Sequence, residues 1–122
     1  MGARPELSVI TKTYDFLLWL IPRIDKFPRS RKFTLGDHLE RDGLDLLKCL
    51  VKAKFLRDPR ALLNDANVTL QQLRFLVRLA KDLGCLAIKS YEFASEQIDG
   101  IGTEAGAWLK SYRTEGTTRS GK

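Results

Sequence analysis

Apolar residues recur at steps of three and four along most of this chain, which is the spacing of an amphipathic helix. Four segments share the pattern, and short breaks separate them. They run from about Pro5 to Lys26, from Thr34 to about Phe55–Arg57, from Asp58 to Gly84, and from about Ile88 to Tyr112. No long stretch alternates β-branched residues with polar ones, so the pattern favours helices over strands.

Local signals mark several helix ends. Thr34 with Asp37 three residues later resembles a capping box at the start of the second segment. Asp58-Pro59 reads as an N-cap followed by the first helical residue of the third segment, and Gly84 is a suitable stop after it. The polar run at 64–67 leaves open a turn there instead.

Four similar helices joined by short loops predict an all-α, antiparallel, up-down-up-down four-helix bundle over residues 1–112. The segment 113–122 has no apolar content, so we predict a disordered polar tail.

The first and third predicted helices are apolar on two sides, although one bundle core buries only one side of each helix. The core-facing residues predicted for the first helix are Leu7, Ile10, Tyr14, Leu17, Leu18, Ile21 and Ile24. The second stripes predict the interface of a homo-oligomer, formed by Val9, Phe16, Leu20, Val68, Phe75 and Leu79. The alternative is a monomer with scattered exposed apolar residues.

The net charge of +6 and the pI near 9.5 favour a polyanionic partner, either nucleic acid or an anionic membrane surface. Basic residues gather around the first break and along the third helix, and arginine suits phosphate because its fork donates two parallel hydrogen bonds. The alternative is a set of solvated helix faces with local ion pairs. The candidate nucleic-acid-binding residues are Arg23, Lys26, Arg29, Arg31, Lys32, Arg74, Arg78 and Lys81.

Catalytic and metal-binding patterns are missing from the sequence. One histidine and two distant cysteines do not make a conventional zinc site, and there is no phosphate-binding loop, dinucleotide motif or nucleophile elbow. We therefore predict no enzymatic activity, no metal and no cofactor. The longest apolar run, Phe16–Ile21, is too short to span a bilayer, and no secretory signal is evident, so we expect a soluble, cytoplasmic protein that does not bind membranes.

Three stretches carry a resemblance to a known family. They read TKTYDFLLWLIPRIDKFPRSRKFTLGDHLE (Thr11–Glu40), LRFLVRLAKDLGCL (Leu73–Leu86) and KSYEFASEQIDGIG (Lys89–Gly102). They are similar to the accessory variability determinant (Avd) proteins of diversity-generating retroelements, a bacterial and phage family of four-helix bundles. The likeness covers most of the chain, to about Tyr112, and the eight candidate cations lie inside the matching stretches.

The resemblance implies a homopentameric barrel of bundles with a basic surface. It also implies a non-enzymatic accessory role, in which the protein binds template RNA and the reverse transcriptase and supports mutagenic reverse transcription. Whether DNA is bound as well stays open. A more distant likeness, to four-helix-bundle proteins encoded in ribosomal-RNA intervening sequences, supports an alternative function as a structural or protein-interaction module.

Overall fold

The structure, a computed structural model, describes the backbone of residues 5–120 and the side chains of residues 7–112. Its helices are α1 (Pro5–Ile24), α2 (Arg29–Lys32), α3 (Leu35–Lys54), α4 (Arg60–Asp82) and α5 (Ile88–Ser120). The four long helices correspond to the four predicted segments, and α2 is a single turn inside the first predicted break. The described backbone contains no strand, so the all-α prediction is confirmed.

The long helices pack in the cyclic order α1, α3, α4, α5, so that each contacts two neighbours. Contacts between α1 and α5 show that they are antiparallel. The rings of Trp19 and Phe93 lie 4.8 Å apart, whereas the Lys12 ammonium lies 3.5 Å from the Glu104 carboxylate. The connections 25–34 and 83–87 therefore lie at one end of an up-down-up-down bundle, and the connection 55–59 lies at the other.

Helix α3 starts at the predicted position, whereas α4 starts one residue later than predicted, with Pro59 instead of Asp58 as its N-cap. Thr34 is the N-cap of α3, but its hydroxyl donates to the carbonyl of Arg31 at 3.3 Å and does not cap the helix. The capping box with Asp37 is therefore not formed. Helix α4 begins at Arg60, whose backbone N–H donates to Asp58 Oδ1 at 3.1 Å, so the Asp58 side chain satisfies one free donor of the first turn.

Gly84 ends α4 as predicted, with a φ of +80° that L-residues with a side chain rarely adopt. Its N–H donates to the carbonyl of Lys81 at 3.0 Å, and the N–H of Cys85 donates to the carbonyl of Ala80 at 2.7 Å. These two bonds form a Schellman motif, which satisfies carbonyls at the helix end. The polar run 64–67 lies inside α4, so the alternative turn at that place is wrong.

The inward side of α1 agrees only in part with the predicted one, since Leu17 and Ile24 are buried as predicted and Ile10 and Ile21 are partly buried. It consists of Val9, Phe16 and Leu20 together with Leu17 and Ile24. Phe16 is 1% exposed, so the assignment of Val9, Phe16 and Leu20 to an oligomer interface is wrong. These three side chains build the core of the bundle itself. The exposed apolar residues of α1 are Leu7, Tyr14 and Leu18, all predicted to face inward.

A polar residue is buried on the core side of α1. Thr13 lies on the core side of α1, and its hydroxyl donates to the carbonyl of Val9 at 2.8 Å, so burial leaves no polar group unsatisfied. A polar residue on this side of the helix therefore does not prevent its burial. Since both sides of α1 are apolar, the helical period alone does not select between them.

Helix α5 is the longest, and it continues past its predicted end at Tyr112 to Ser120. The disordered tail predicted for 113–122 lies outside the residues whose side chains the structure describes, and it stays a prediction. Within the described part of the chain, none of the helices combines the length and the apolarity that crossing a membrane requires.

Candidate nucleic-acid interface

The connection between α1 and α3 presents a dense group of cations. After α1 ends, the carbonyl of Pro28 accepts hydrogen bonds from the N–H groups of Arg31 and Lys32 at 2.8 and 2.9 Å, which closes the single turn of α2. No residue of this turn is buried, so its basic side chains are presented to solvent. We call the following set the basic connection: Lys26, Arg29, Arg31 and Lys32.

The basic connection has no acidic partner among the side chains that the structure describes, because none of its four cations lies within 4.0 Å of a carboxylate there. Such cations keep their hydrogen-bond donors available for an anionic ligand. The prediction that this segment can bind phosphate therefore has a structural basis in exposure and charge.

Arg23 is used differently from the rest of its predicted group. It is partly buried, its guanidinium donates to the carbonyl of Trp19 at 2.9 Å, and it lies 4.3 Å from the centroid of the Trp19 ring. That ring also contacts Phe93 of α5. Arg23 thus stabilises an aromatic contact between α1 and α5. It lies next to the basic connection in the chain, but part of its guanidinium is already bonded to Trp19.

Acidic neighbours partly neutralise the basic stripe on α4. Arg74 forms an ion pair with Asp99 of α5, Arg78 lies 4.0 Å from Asp82, and Lys81 lies 3.1 Å from the same carboxylate. Exposed ion pairs of this kind contribute little stability, so a phosphate can compete for them. The stripe nevertheless offers less free positive charge than its sequence indicates.

Part of this stripe lies at the same end of the bundle as the basic connection. Helices α1 and α4 end, and α3 and α5 begin, at the same end of the bundle, so Arg78 and Lys81 lie at the end that carries the basic connection. Arg74 lies farther along α4, about 12 Å from the helix end at a rise of about 1.5 Å per residue.

Phe33 is a candidate residue that sequence reasoning missed. Its side chain is 63% exposed, and the Lys32 ammonium lies 5.5 Å from its ring centroid. The ring lines a surface cavity of about 290 Å³ together with Asp25, Phe27, Arg29 and Lys32. The available signal was an aromatic residue directly after a basic run, in a break where no helix stripe could bury it.

Two exposed apolar surfaces flank the bundle. The first is the outer face of α4, where Val68, Phe75 and Leu79 are exposed, as their predicted second stripe requires. We call it the α4 apolar face. The second is a groove of about 290 Å³ between α1 and α3, which we call the α1–α3 groove, and its lining residues are Tyr14, Leu17, Leu18, Ile21, Pro22, Leu44 and Leu47.

An acidic residue borders the α4 apolar face. Asp42 of α3 shares a surface cavity with His38, Gln72, Phe75 and Leu76. Partial burial, and then the nearby charge of Asp45, raise the pKa of the Asp42 carboxyl above its ordinary value. The charged form of Asp42 is thus disfavoured beside this apolar surface.

The cysteines and acidic residues form no metal centre in the described part of the chain, where no three potential ligands of the His, Cys, Asp and Glu types come together. Cys49 and Cys85 are free and partly buried. Burial raises the pKa of the Cys49 thiol, whose Sγ donates to the carbonyl of Leu62 at 3.1 Å. A protonated thiol is a poor nucleophile, so Cys49 has the character of a packing residue.

Comparison with known families places this geometry in context. The model of the family described as bAvd-like matches residues 8–112, which include all four members of the basic connection and the cations of the α4 stripe. A comparison with curated proteins gives no match. The family match spans most of the chain and confirms its resemblance to the Avd proteins of diversity-generating retroelements. The chain therefore belongs to the bAvd-like family.

Proposed function

We propose that this protein is a non-enzymatic, cytoplasmic accessory protein of a diversity-generating retroelement. It binds the template RNA and the reverse transcriptase and so supports mutagenic reverse transcription. The observation that carries the RNA-binding part is the basic connection, three exposed cations and the half-buried Lys32, none of which has a carboxylate partner among the described side chains. Membership in the bAvd-like family supports the accessory role.

The basic connection suits the RNA backbone better than it suits a particular base sequence. Guanidinium and ammonium groups bind phosphate oxygens through charge-assisted hydrogen bonds, and such contacts position a nucleic acid without reading its sequence. Binding of this kind releases counterions and weakens steeply as salt rises. We expect the protein to hold a structured RNA mainly by its backbone.

Assembly into a homo-oligomer, a pentamer by analogy with the family, is part of the proposal. The α4 apolar face supports it, because a water-exposed surface that includes Phe75, 67% exposed, is typical of a protein interface. Several copies of the basic connection in one assembly would bind a long RNA together, and linked sites raise the apparent affinity far above that of one site.

The test of RNA binding compares two triple variants that lose the same charge. Arg29→Ala, Arg31→Ala and Lys32→Ala together remove three cations of the basic connection. Lys52→Ala, Lys54→Ala and Arg57→Ala together remove three exposed cations near the opposite end of the bundle. We expect the first variant to bind template RNA about tenfold more weakly, or roughly 1.4 kcal/mol, and the control to change the dissociation constant less than about twofold.

Fluorescence anisotropy with labelled template RNA gives both dissociation constants. Circular dichroism shows whether each variant remains folded. An equal loss in the two variants would mean that RNA responds only to net charge, and the basic connection would not be the binding surface. Capture of the purified reverse transcriptase by immobilised wild-type protein, with and without RNA, tests the second partner.

The alternative function is a structural or protein-interaction bundle of the kind related to ribosomal-RNA intervening-sequence proteins. The α1–α3 groove favours it, because its lining is almost wholly apolar and would suit a protein partner. This alternative predicts RNA binding that disappears at physiological salt, together with a stoichiometric protein partner other than a reverse transcriptase. A reverse-transcriptase gene next to the gene for this chain would argue against it.

A further inference from the structure

We propose that the cavity beside Phe33 binds one unpaired nucleotide of a single-stranded RNA segment, with the base stacked on the Phe33 ring. This Phe33 cavity is lined by Asp25, Phe27, Arg29, Lys32 and Phe33. The inference rests on the proposed RNA-binding function, and it adds a preference for single strands and a contact with the base.

Phe33 has the exposure and the fixed position that a stacking platform needs. Phe27 lies beneath the same cavity and is buried, whereas Phe33 is 63% exposed. Phe33 lies directly between the C-terminus of α2 and the N-cap of α3, and the N–H of Thr34 donates to the carbonyl of Arg31 at 3.3 Å. The backbone on both sides of the ring is thus held by helices. Aromatic rings bind unpaired bases by stacking whatever the base, since every base has a π-face.

The cations of the cavity are placed for the phosphate of the same nucleotide. Arg29 and Lys32 line the cavity, and neither has a carboxylate within 4.0 Å among the described side chains. The Lys32 ammonium lies over one face of the Phe33 ring, 5.5 Å from its centroid, so a base would stack on the other face. Stacking rings combined with backbone-tracking cations are typical of proteins that bind single strands.

The carboxylate of Asp25 lines the cavity, where it would repel a phosphate but could accept hydrogen bonds from the edge of a base. A carboxylate only accepts hydrogen bonds, so it suits the amino groups of adenine, cytosine and guanine. Uracil is a poorer partner for the Asp25 carboxylate, because the ring N–H of uracil lies between two carbonyl oxygens that repel a carboxylate. In an RNA duplex one amino hydrogen of adenine or cytosine is used in base pairing, and the other points into a deep, narrow major groove that side chains do not reach. Only an unpaired adenine or cytosine can therefore offer these donors to Asp25.

The size of the cavity agrees with a single nucleotide. Its volume of about 290 Å³ is near the lower limit for small-molecule sites and leaves no room for a stacked pair of bases. Exposed aromatic and basic residues also occur on proteins that bind anionic membranes. The concave shape and the carboxylate of Asp25 favour a nucleotide over a flat anionic surface.

The chain offers a closely matched control for Phe33. Phe55 is 76% exposed and follows Lys54, whose ammonium lies 5.5 Å from the ring centroid, the same distance as in the Lys32–Phe33 pair. It lies in the 55–59 connection at the opposite end of the bundle. Phe33→Ala and Phe55→Ala therefore remove the same kind of side chain in the same kind of local setting.

The experiment measures binding of wild type, Phe33→Ala, Phe33→Trp and Phe55→Ala to an unstructured RNA oligonucleotide and to the duplex that it forms with its complement. We expect Phe33→Ala to weaken single-strand binding by about fivefold or more, the effect typical of losing one stacked base. Binding to duplex should change less than about twofold by the same measure. Phe33→Trp should restore single-strand binding, and Phe55→Ala should leave both affinities unchanged.

Equal losses on single strand and duplex, or equal effects of Phe33→Ala and Phe55→Ala, would overturn the nucleotide site. If the basic-connection triple variant binds RNA more weakly while Phe33→Ala binds it as wild type does, the proposed RNA-binding surface is supported and the stacking site is wrong. If wild type binds neither RNA, the proposed function itself fails. Binding of wild type to phosphatidylserine vesicles that Phe33→Ala abolishes, without any preference for single strands, would assign the ring to a membrane surface.

The proposed contact between Asp25 and the base is tested by comparing the affinities for oligonucleotides of different bases. Wild type should bind oligonucleotides of adenine or cytosine more tightly than oligonucleotides of uracil, and Asp25→Asn should narrow that difference because an amide also donates. Equal affinities of the wild type for all three would remove the base-edge contact from the proposal.

Discussion

At the scale of single residues, two glycines of α3 allow this helix to approach α1 closely. A Cβ placed on Gly43 would lie 2.5 Å from Cδ2 of Leu17, and a Cβ placed on Gly36 would lie 2.8 Å from Cγ2 of Ile24. Leu17 and Ile24 are buried, so a Cβ at either glycine would force these side chains to shift, although Leu17 also borders the α1–α3 groove. The absence of a side chain at these two positions therefore fixes the distance between the helices.

We expect Gly43→Ala to destabilise the protein even though alanine favours helix. The gain in helix propensity is about 1 kcal/mol, and overpacking a filled core costs about 1–3 kcal/mol. The matched variant is Gly106→Ala in α5, where a new Cβ meets no atom within 4 Å, so this change should raise the free energy of unfolding by about 1 kcal/mol. Urea denaturation of both variants checks the prediction, and stabilisation by Gly43→Ala would contradict the tight contact.

Sequence reasoning at this scale succeeded where the cause is local. Gly84 and Asp58 act at helix ends through bonds to residues close in the chain. It failed for Val9, Phe16 and Leu20, because nothing local shows which side of α1 is covered, and a hydroxyl such as that of Thr13 can lie in a core when it donates to the preceding turn.

At the scale of helices, α1 and α4 each carry apolar residues on two sides, and the structure divides these sides between core and surface. In α1 the buried side includes Phe16 and the exposed side includes Leu18. In α4 the buried side includes Leu73 and Val77, and the exposed side includes Phe75. The two exposed sides remain the surfaces available for partners or for other copies of the chain.

We expect Phe75→Glu to lower the molar mass in solution and to leave the helices intact, because the ring is exposed on the α4 apolar face. Phe16→Glu should instead lower the melting temperature sharply, since it would bury a carboxylate in the core. Phe55→Glu is the control, because this exposed ring lies on neither apolar surface. Light scattering and thermal melts distinguish the three, and an unchanged mass for Phe75→Glu would exclude this face as an interface.

At the scale of the whole molecule, the charge of +6 is distributed unevenly. Among the described side chains, four cations without an ion pair lie in the basic connection at one end of the bundle, and three more exposed cations, Lys52, Lys54 and Arg57, lie near the other end. The cations of the α4 stripe are paired with Asp82 and Asp99. Charge alone therefore does not select one end of the bundle for RNA, and the two triple variants measure which end contributes more to the proposed binding.

We expect the salt dependence of RNA binding to follow this distribution. Removing three phosphate contacts with the basic-connection triple variant should reduce the slope of log affinity against log salt by about 2, since each contact contributes about 0.7 for a single strand. Arg74→Ala with Arg78→Ala should change the slope much less, because both side chains are already paired with carboxylates. A larger change for this double variant would make the α4 stripe the main RNA surface.

The sequence by itself determined what depends on near neighbours in the chain. The helical period, the stops at helix ends and the concentration of cations between Arg23 and Lys32 all lie in short stretches. The match to the bAvd-like family also follows from the sequence alone, over residues 8–112. Tertiary structure decided which side of α1 is buried and which cations have partners, as in the pairing of Arg74 with Asp99. It also decided that Phe33 stays exposed. These outcomes depend on which helix packs against which, and a period of 3.6 residues carries no information about residues that meet across the bundle.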